Sequence, residues 1–316
     1  MYRNKSGHKL AYRRLGYSTT TLTIGLIAIA FGSGTIRAQD QDTLVIRDDI
    51  EVGYHQTIDN VAQAQQGIAA YDNFFYTSGG AAAQEEWLFR YAPSWGKDNE
   101  VEYQRVYFDD GLNGVTITHV GDIAGYTIRL YGVFSDSIYL DAKDAEKIYI
   151  AWFDRYTLDQ GTGDYVDVSR LVSLFPDLDD VSGLAFRDDL LYLLGYYTDD
   201  SDRPRIFSFS MDGLRPNVLS NVYENVYEID TKFANGLAFK DNYIFISRGP
   251  GGLGPATAYI DIYEYPLSEQ EKAFPIKTYE YEGRYTHAEG ITFNEDELWV
   301  AQGTHVLQLD SIGICI

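Results

Sequence analysis

The chain has 316 residues, of which 45% are hydrophobic, and this is enough for one large packed domain or two smaller ones. Its 47 acidic residues outnumber its 25 basic residues, which gives a formal net charge of −22. A surface this acidic repels phosphate backbones and anionic lipid headgroups, so we exclude nucleic acids and membrane surfaces as partners. Cys315 is the only cysteine, which excludes a disulfide within the chain and a thiolate-rich metal site.

The first 38 residues have the composition of a secretory signal peptide. They contain six basic residues and no acidic ones, with an apolar run from Leu22 to Phe31 and a small residue at Ala38. A basic segment, an apolar core and a small residue at the cleavage site are typical of export signals. We therefore expect cleavage after Ala38 and a secreted or periplasmic protein with a net charge of −28, from 19 basic and 47 acidic residues. The alternative is an uncleaved N-terminal membrane anchor.

The remainder of the sequence repeats. Four segments share a glycine, an apolar stretch, a turn rich in Asp or Asn, and a second apolar and aromatic run: "QQGIAAYDNFFYTSGG", "VSGLAFRDDLLYLLGYY", "ANGLAFKDNYIFISRG" and "AEGITFNEDELWVAQG". Gly183, Gly236 and Gly290 are 53 and 54 residues apart. Gly67 lies 116 residues before Gly183, and the degenerate segment "THVGDIAGYTIRLYGVF" fills that gap. Five units of similar length are therefore present.

Each unit continues with alternating strand patterns, such as "RIFSFS" and "YIDIYEY", and most have a fourth apolar run. Four antiparallel strands repeated five times predict an all-β fold, a five-bladed β-propeller over residues 39–316. The last unit has no fourth strand pattern of its own after "HVLQLD". We expect an N-terminal strand, Thr43 to Arg47, to supply the outer strand of the last blade and close the ring, which removes free sheet edges.

Polar residues vary in type at the start of each unit. Directly before the repeated glycines stand Gln66, Ser182, Asn235 and Glu289. Three residues before the glycine, or at the corresponding start of the degenerate unit, stand Ala64, His119, Asp180, Phe233 and His287. Because the first strand of each blade lines the central channel, these positions are expected to meet at one mouth. Such residues either hydrogen-bond to water and to each other in a hydrated channel or form a binding site.

A site at this mouth would suit a divalent cation. Calcium prefers oxygen ligands, and the oxygen-bearing candidates are Glu289, Asn235, Gln66 and either Asp180 or Asp122. The imidazoles of His119 and His287 would instead suit zinc or act as a general base. Two further residues are candidates for direct ligand contact: Ser182 at the mouth, and Trp95 in the loop "YAPSWGKDN", where its ring can stack on a sugar.

The stretches "FANGLAFKDNYIFIS" and "HAEGITFNEDELWVAQG" resemble the gluconolactonase, arylesterase and senescence-marker class of propellers and, more loosely, NHL-type repeats. In that class the asparagine of an Asn-Gly-Leu step and the glutamate of a Glu-Gly step bind a central divalent metal, which activates a lactone or ester. The resemblance implies that Asn235 and Glu289 are metal ligands. The chain departs from the class in its blade count, since that class has six blades, and in carrying Glu289 in its last blade instead of its first.

Two functions remain open. In the first, a secreted propeller binds a small molecule, a glycan or a partner protein at the channel mouth around calcium or another divalent cation. In the second, a metal-dependent hydrolase acts on lactones or esters, with His119 or His287 as its base. No complete catalytic set can be assembled from the ring, which favours binding, and we expect a monomer. Glycosidases on five-bladed propellers place three carboxylates on successive inner strands, whereas this chain has Gln66 and Asn235 in its first and fourth units.

Overall fold

The computed structural model describes the strands and their shorter connections. The described residues are 44–46, 52–57, 66–78, 87–91, 103–107, 119–135, 148–154, 163–169, 171, 174–175, 177–178, 180–196, 204–212, 214, 223–249, 257–282, 288–302, 305–309 and 312–314. The predicted signal peptide lies outside them, so its cleavage, the anchor alternative and export all stay predictions. Among the described residues, no helix has the length and apolar character needed to span a membrane.

Twenty of the strands form five four-stranded antiparallel sheets, which we number as blades 1 to 5. Blade 1 contains β3 (Ile68–Tyr71), β4 (Phe74–Ser78), β5 (Trp87–Tyr91) and β6 (Tyr103–Tyr107). Blade 2 contains β7 (His119–Tyr126), β8 (Arg129–Ser135), β9 (Ile148–Asp154) and β10 (Asp164–Asp167). Blade 3 contains β11 (Asp180–Arg187), β12 (Leu190–Tyr196), β13 (Arg205–Ser210) and β14 (Asn225–Glu228).

Blade 4 contains β15 (Ala234–Lys240), β16 (Tyr243–Arg248), β17 (Thr257–Glu264) and β18 (Lys277–Glu282). Blade 5 takes three strands from the end of the chain and its outer strand from the beginning: β19 (Ile291–Asn294), β20 (Glu297–Gln302), β21 (His305–Leu309) and β2 (Val52–Thr57). The first strands of successive blades lie side by side in a closed circle, from β3 through β7, β11, β15 and β19 back to β3. The predicted five-bladed β-propeller is therefore confirmed.

An N-terminal strand closes the ring, as predicted, but the segment assigned to it from sequence was wrong. The outer strand of blade 5 is β2, whose residues Val52 to Thr57 pair with β21, and not the expected Thr43 to Arg47. Within that expected segment, β1 (Leu44–Ile46) pairs instead with β22 (Ile312–Ile314) in a separate two-stranded sheet. Neither segment has a clear alternation of apolar and polar residues, so the tertiary pairing is what distinguishes them.

Apolar side chains hold neighbouring blades together. Five clusters of buried residues are present, and each joins two adjacent blades. The cluster that joins blade 5 to blade 1 packs Trp299, Ala301 and Val306 against Phe75 and Phe89. Because every interface between blades is filled with apolar side chains, burial of these faces supplies the main stabilisation of the ring.

The two ends of the ring differ next to the channel. At one end, a two-residue turn joins the first two strands of each blade, and its first residue has a positive φ: Asp72, Thr127, Asp188, Asp241 and Glu295. In four blades the last residue of the inner strand bonds to the turn of the next blade, through the pairs Tyr71 with Thr127, Tyr126 with Asp189, Arg187 with Asp241, and Lys240 with Glu295. These bonds tie the blades together at the turn end.

The other end of the ring is where each inner strand begins, and we call it the mouth. In blades 1 to 4, connections of eight to twelve residues follow the second strand at this end. The segments that lead into the inner strands also arrive here. The longer connections between strands therefore begin at the mouth, whereas the turn end has two-residue turns.

The closing strand generates the first prediction. A chain that begins at Glu51 loses β1, the partner of β22, but keeps β2, so all five blades stay complete and the ring should still unfold cooperatively. A chain that begins at Ile58 lacks β2, exposes the edge of β21, and should aggregate, because an unpaired strand edge is a template for pairing with another chain. Thermal unfolding and size-exclusion chromatography of both chains would test this. Equal solubility and melting temperature for the two would contradict the closure of blade 5 by β2.

Candidate functional site

The inner strands meet at one level of the channel, which we call the hub. The strand pairings make Ile68, Ile123, Leu184, Leu237 and Ile291 equivalent, since each occupies the same position relative to the first turn of its blade. The residue before each of these is a hub position, and the five hub positions are Gly67, Asp122, Gly183, Gly236 and Gly290. Blade 2 thus places an aspartate where the other four blades have glycine.

The glycines allow the inner strands to approach closely. A Cβ atom on Gly236 would lie 2.3 Å from the carbonyl oxygen of Glu289, in the next blade. A Cβ atom on Gly290 would lie 2.5 Å from the backbone nitrogen of Ile68, which belongs to blade 1. Distances this short exclude any side chain without movement of the backbone. Close contact between blade 5 and blade 1 also shows that the ring is closed at the hub.

The carboxyl group of Asp122 fills the space at the hub and is 1% exposed. Oδ1 accepts a hydrogen bond from the N–H of Ile123 at 2.9 Å, and Oδ2 accepts longer ones from Leu237 at 3.4 Å and Leu184 at 3.5 Å. The backbone N–H of Ile68 is a fourth donor to this carboxyl group. Burial raises the pKa of Asp122 well above its ordinary value, while these N–H groups act in the opposite direction.

One residue above the hub lies the set that we call the mouth ring: Gln66, Gly121, Ser182, Asn235 and Glu289. The polar side chains predicted to meet at the mouth therefore do occupy equivalent positions. Gln66 and Glu289 are each 9% exposed, and Asn235 is 4% exposed. Ser182 is half-buried. Polar groups that leave water must be satisfied by other partners, so the two buried amides and the buried carboxyl group of this ring each require one.

Two side chains of the mouth ring bond to the neighbouring blade. Ser182 donates its hydroxyl to the carbonyl oxygen of Ala234 at 3.1 Å, and Asn235 donates its Nδ2 to that of Ala288 at 3.1 Å. These bonds give both residues a structural role. Since Asn235 uses its nitrogen for this bond, its Oδ1 is the atom that it can offer to a ligand.

Glu289 is the ionisable member of the mouth ring. Burial raises the pKa of its carboxyl group from 4.5 to about 8. Its carbonyl oxygen accepts a hydrogen bond from the Ser247 hydroxyl, and its N–H donates to Ala301 at 2.9 Å. The backbone of Glu289 is therefore held in place. A positioned carboxyl group with a strongly shifted pKa in a channel is a candidate functional residue.

The level above the mouth ring is described only in part. The side chains of His119 and Asp180, at the first residues of β7 and β11, lie outside the described residues, as do His287 and Trp95. Their predicted roles therefore stay predictions. Cation binding by Asp122 also stays a prediction, although the side chain of Asp122 lies at the hub and both of its oxygens accept backbone N–H groups there. Phe233 at this level is half-buried and has a φ of 55°, which is uncommon for an aromatic residue.

Sequence reasoning missed two serines that support the site. Ser78 at the end of β4 donates its hydroxyl to Gly121 in the next blade at 2.7 Å. Ser247 in β16 is bonded to both Gly236 and Glu289, and so links the hub of blade 4 to the mouth ring of blade 5. Both serines are fully buried near the mouth ends of otherwise apolar second strands. That polar interruption of an apolar run is the signal that would have indicated them.

The described residues contain no group of three or more His, Cys, Asp or Glu side chains placed to hold a metal ion. A cation at the mouth ring would therefore depend on amide oxygens as well as on carboxylates. Calcium accepts such a mixed set of oxygen ligands, whereas a zinc site built on imidazoles would require His119 or His287.

Comparisons with known proteins support the fold. No family model matches the sequence, and no curated protein matches it. An exo-β-1,3-galactanase from Clostridium thermocellum superposes with a TM-score of 0.52 and 11% identity over 84% of this chain. An exo-β-1,3-galactanase from Phanerochaete chrysosporium, solved with β-1,3-galactotriose, gives 0.50 and 12% over 81%. This chain spans 64% of the length of each. At this level of identity the similarity concerns the propeller fold alone, and the resemblance to the gluconolactonase class stays a prediction.

The pKa of Glu289 generates the second prediction, for protein kept in chelator. Because the folded-state pKa is raised, the folded state binds this proton more tightly than the unfolded state, so stability is lost as pH rises from about 4.5 to about 8. The free energy of unfolding should fall by on the order of 5 kcal/mol over this range if the folded protein has the whole pKa shift. Glu289→Gln should remove this contribution, so the variant should gain stability relative to the wild type as the pH rises.

Urea unfolding at pH 5 and pH 8.5 measures this gain. Glu297→Gln is the matched control, because Glu297 is an exposed glutamate of the same blade. The control should follow the wild type at both pH values. A Glu289→Gln variant that also follows the wild type would show that Glu289 does not titrate with a raised pKa.

Proposed function

We propose that the protein is an exported ligand-binding propeller whose mouth ring holds a divalent cation, with calcium as the best candidate. The observation that carries this proposal is the convergence of Glu289, Asn235 and Gln66 at one level of the channel, directly above the hub. The channel is filled at the hub, below the mouth ring, by Asp122, so a ligand would approach from the mouth.

The donor set fits a hard cation. Glu289 would supply the carboxylate, and Asn235 and Gln66 would supply amide oxygens, which are the ligand types that calcium accepts. Asn235 already uses its nitrogen on Ala288, which leaves its oxygen for the cation. A bound cation favours the ionised form of a carboxyl group, so binding would offset the cost of burying Glu289. The net charge of −22 also attracts cations to the molecule.

The ligand itself would be neutral or cationic. Acidic ligands are disfavoured by the charge of the protein, whereas a neutral glycan or other hydroxyl-bearing small molecule can bind to a protein-held calcium ion through its oxygens. Phe233 lies three residues from the hub position of blade 4 and is half-buried, so its ring can contribute apolar contact at the mouth. A single bound molecule would need no second subunit, in keeping with the monomer that we expect.

The third prediction tests the cation. Calcium that binds only the folded state raises stability by about 2.7 kcal/mol when its free concentration is a hundredfold above the dissociation constant. Chelator should therefore lower the melting temperature of the wild type, and calcium should restore it. Glu289→Gln keeps the shape of the side chain but removes its charge, so it should abolish the response. The control Glu297→Gln should respond as the wild type does.

Calorimetric titration with calcium chloride would give the same answer independently of stability. One binding event in the wild type and in Glu297→Gln, and none in Glu289→Gln, is the expected result. A wild type whose melting temperature is indifferent to both chelator and calcium, and which shows no heat of binding, would contradict the cation site.

A second candidate function is the metal-dependent hydrolysis of lactones or esters. The observation that favours it is the contact between blades 4 and 5, where the amide of Asn235 reaches the residue before Glu289. This contact brings Asn235 close to the backbone beside Glu289, and these are the two residues that the gluconolactonase-like resemblance implies as metal ligands. Asn235 and Glu289 would hold the cation, which when bound would polarise a substrate carbonyl. His287 or His119 would take a proton from the attacking water.

The fourth prediction separates the two functions. If the protein is a hydrolase, His287→Ala should lower the turnover of a lactone or phenyl ester by about 10²–10⁴-fold, which is the usual contribution of a general base. The same variant should keep the calcium-dependent rise in melting temperature. If the wild type does not hydrolyse δ-valerolactone or phenyl acetate in the presence of calcium, the hydrolase candidate fails while the binding proposal stands.

A further inference from the structure

We propose that the hub is an anion-binding site whose ligand is the chain's own Asp122 carboxylate. Backbone N–H groups from four different blades converge on this one side chain: those of Ile68, Ile123, Leu184 and Leu237. Nests of convergent backbone N–H groups bind anions in many proteins. In this propeller the nest is assembled from inner strands that are distant in sequence and meet only when the ring closes.

The topology explains why these donors are available. Each inner strand is the edge of its blade and pairs with one neighbour only, so its other edge faces the channel. N–H groups on that edge have no partner in the ladder, and a buried N–H group without an acceptor is costly. Five edges converge in this ring. One carboxylate at its centre can accept hydrogen bonds from several of them at once.

The surrounding glycines provide the space for the carboxylate. A Cβ atom on Gly290 would lie 2.7 Å from Oδ1 of Asp122, and one on Gly67 would lie 2.9 Å from its Cα atom. Any side chain at either position would therefore collide with the aspartate. Asp122 and these two glycines are therefore complementary, since the aspartate occupies space that a side chain at Gly67 or Gly290 would need.

The site should accept a small free carboxylate when the aspartate side chain is removed. Asp122→Gly makes all five hub positions glycine and leaves the N–H groups without their acceptor. Its melting temperature should fall by at least about 5 °C, since several buried hydrogen bonds are lost together. Sodium formate should raise the melting temperature of this variant in a saturable way, because an anion that binds only the folded state stabilises it.

Formamide is the matched probe, because it has the size of formate but no charge. At equal ionic strength, formamide should leave the melting temperature of Asp122→Gly unchanged, and formate should leave that of the wild type unchanged because its site is filled. If formate and formamide have the same effect on Asp122→Gly, the hub does not bind anions and the proposal is overturned.

Asp122→Asn provides a second test that does not depend on an empty hub. Asparagine keeps the volume of the side chain, so packing is preserved, but its NH₂ group must face N–H donors from other blades. The variant should melt well below the wild type, and formate should not rescue it because the site is filled. An Asp122→Asn variant as stable as the wild type would show that Asp122 only fills space, and this would overturn the proposal even if Asp122→Gly cannot be purified.

Discussion

The structure depends on how closely five inner strands can approach one another around a single axis. At the hub this distance is so short that a methyl group on Gly236 would lie 2.3 Å from the backbone of the next blade. Four blades meet the constraint with glycine, and the fifth meets it with Asp122, whose carboxyl group takes the central space. The channel is therefore closed at this level by the Asp122 side chain, which lies directly below the mouth ring.

The same constraint accounts for the chemistry of the mouth ring. Residues directly before the hub positions are brought to the axis whatever their polarity, because their neighbours must pack there. Ser182 and Asn235 satisfy their polarity by bonding to the next blade, and in doing so they hold the blades in register. Glu289 remains ionisable, and its burial makes the charged form costly. A cation bound there would stabilise that charged form, which is why the same residue is the centre of the proposed function.

Much of the fold could be predicted from the sequence. The regular spacing of Gly183, Gly236 and Gly290 indicated the repeat and hence the number of blades, because each glycine marks one close approach at the axis. The closing strand could not be identified in this way. Two short strands precede the first blade, and β2 joins blade 5 while β1 pairs with β22. Choosing between them requires the tertiary pairing, which local periodicity does not contain.

The candidate site was predictable in position but less so in detail. The residues of the mouth ring were identified because they precede the repeated glycines. The role of Asp122 was not, because the sequence offered this residue only as an alternative to Asp180 in a cation site at the mouth. The pairing of Ile123 with Gly132 makes Asp122 equivalent to the glycines of the other four blades and so puts its carboxyl group at the axis. The inner strands of blades 3 and 4 have the same bulge as that of blade 2, so the difference at the hub is a single side chain, and the spacing of the repeated glycines does not show that this side chain stands in for a glycine at the axis.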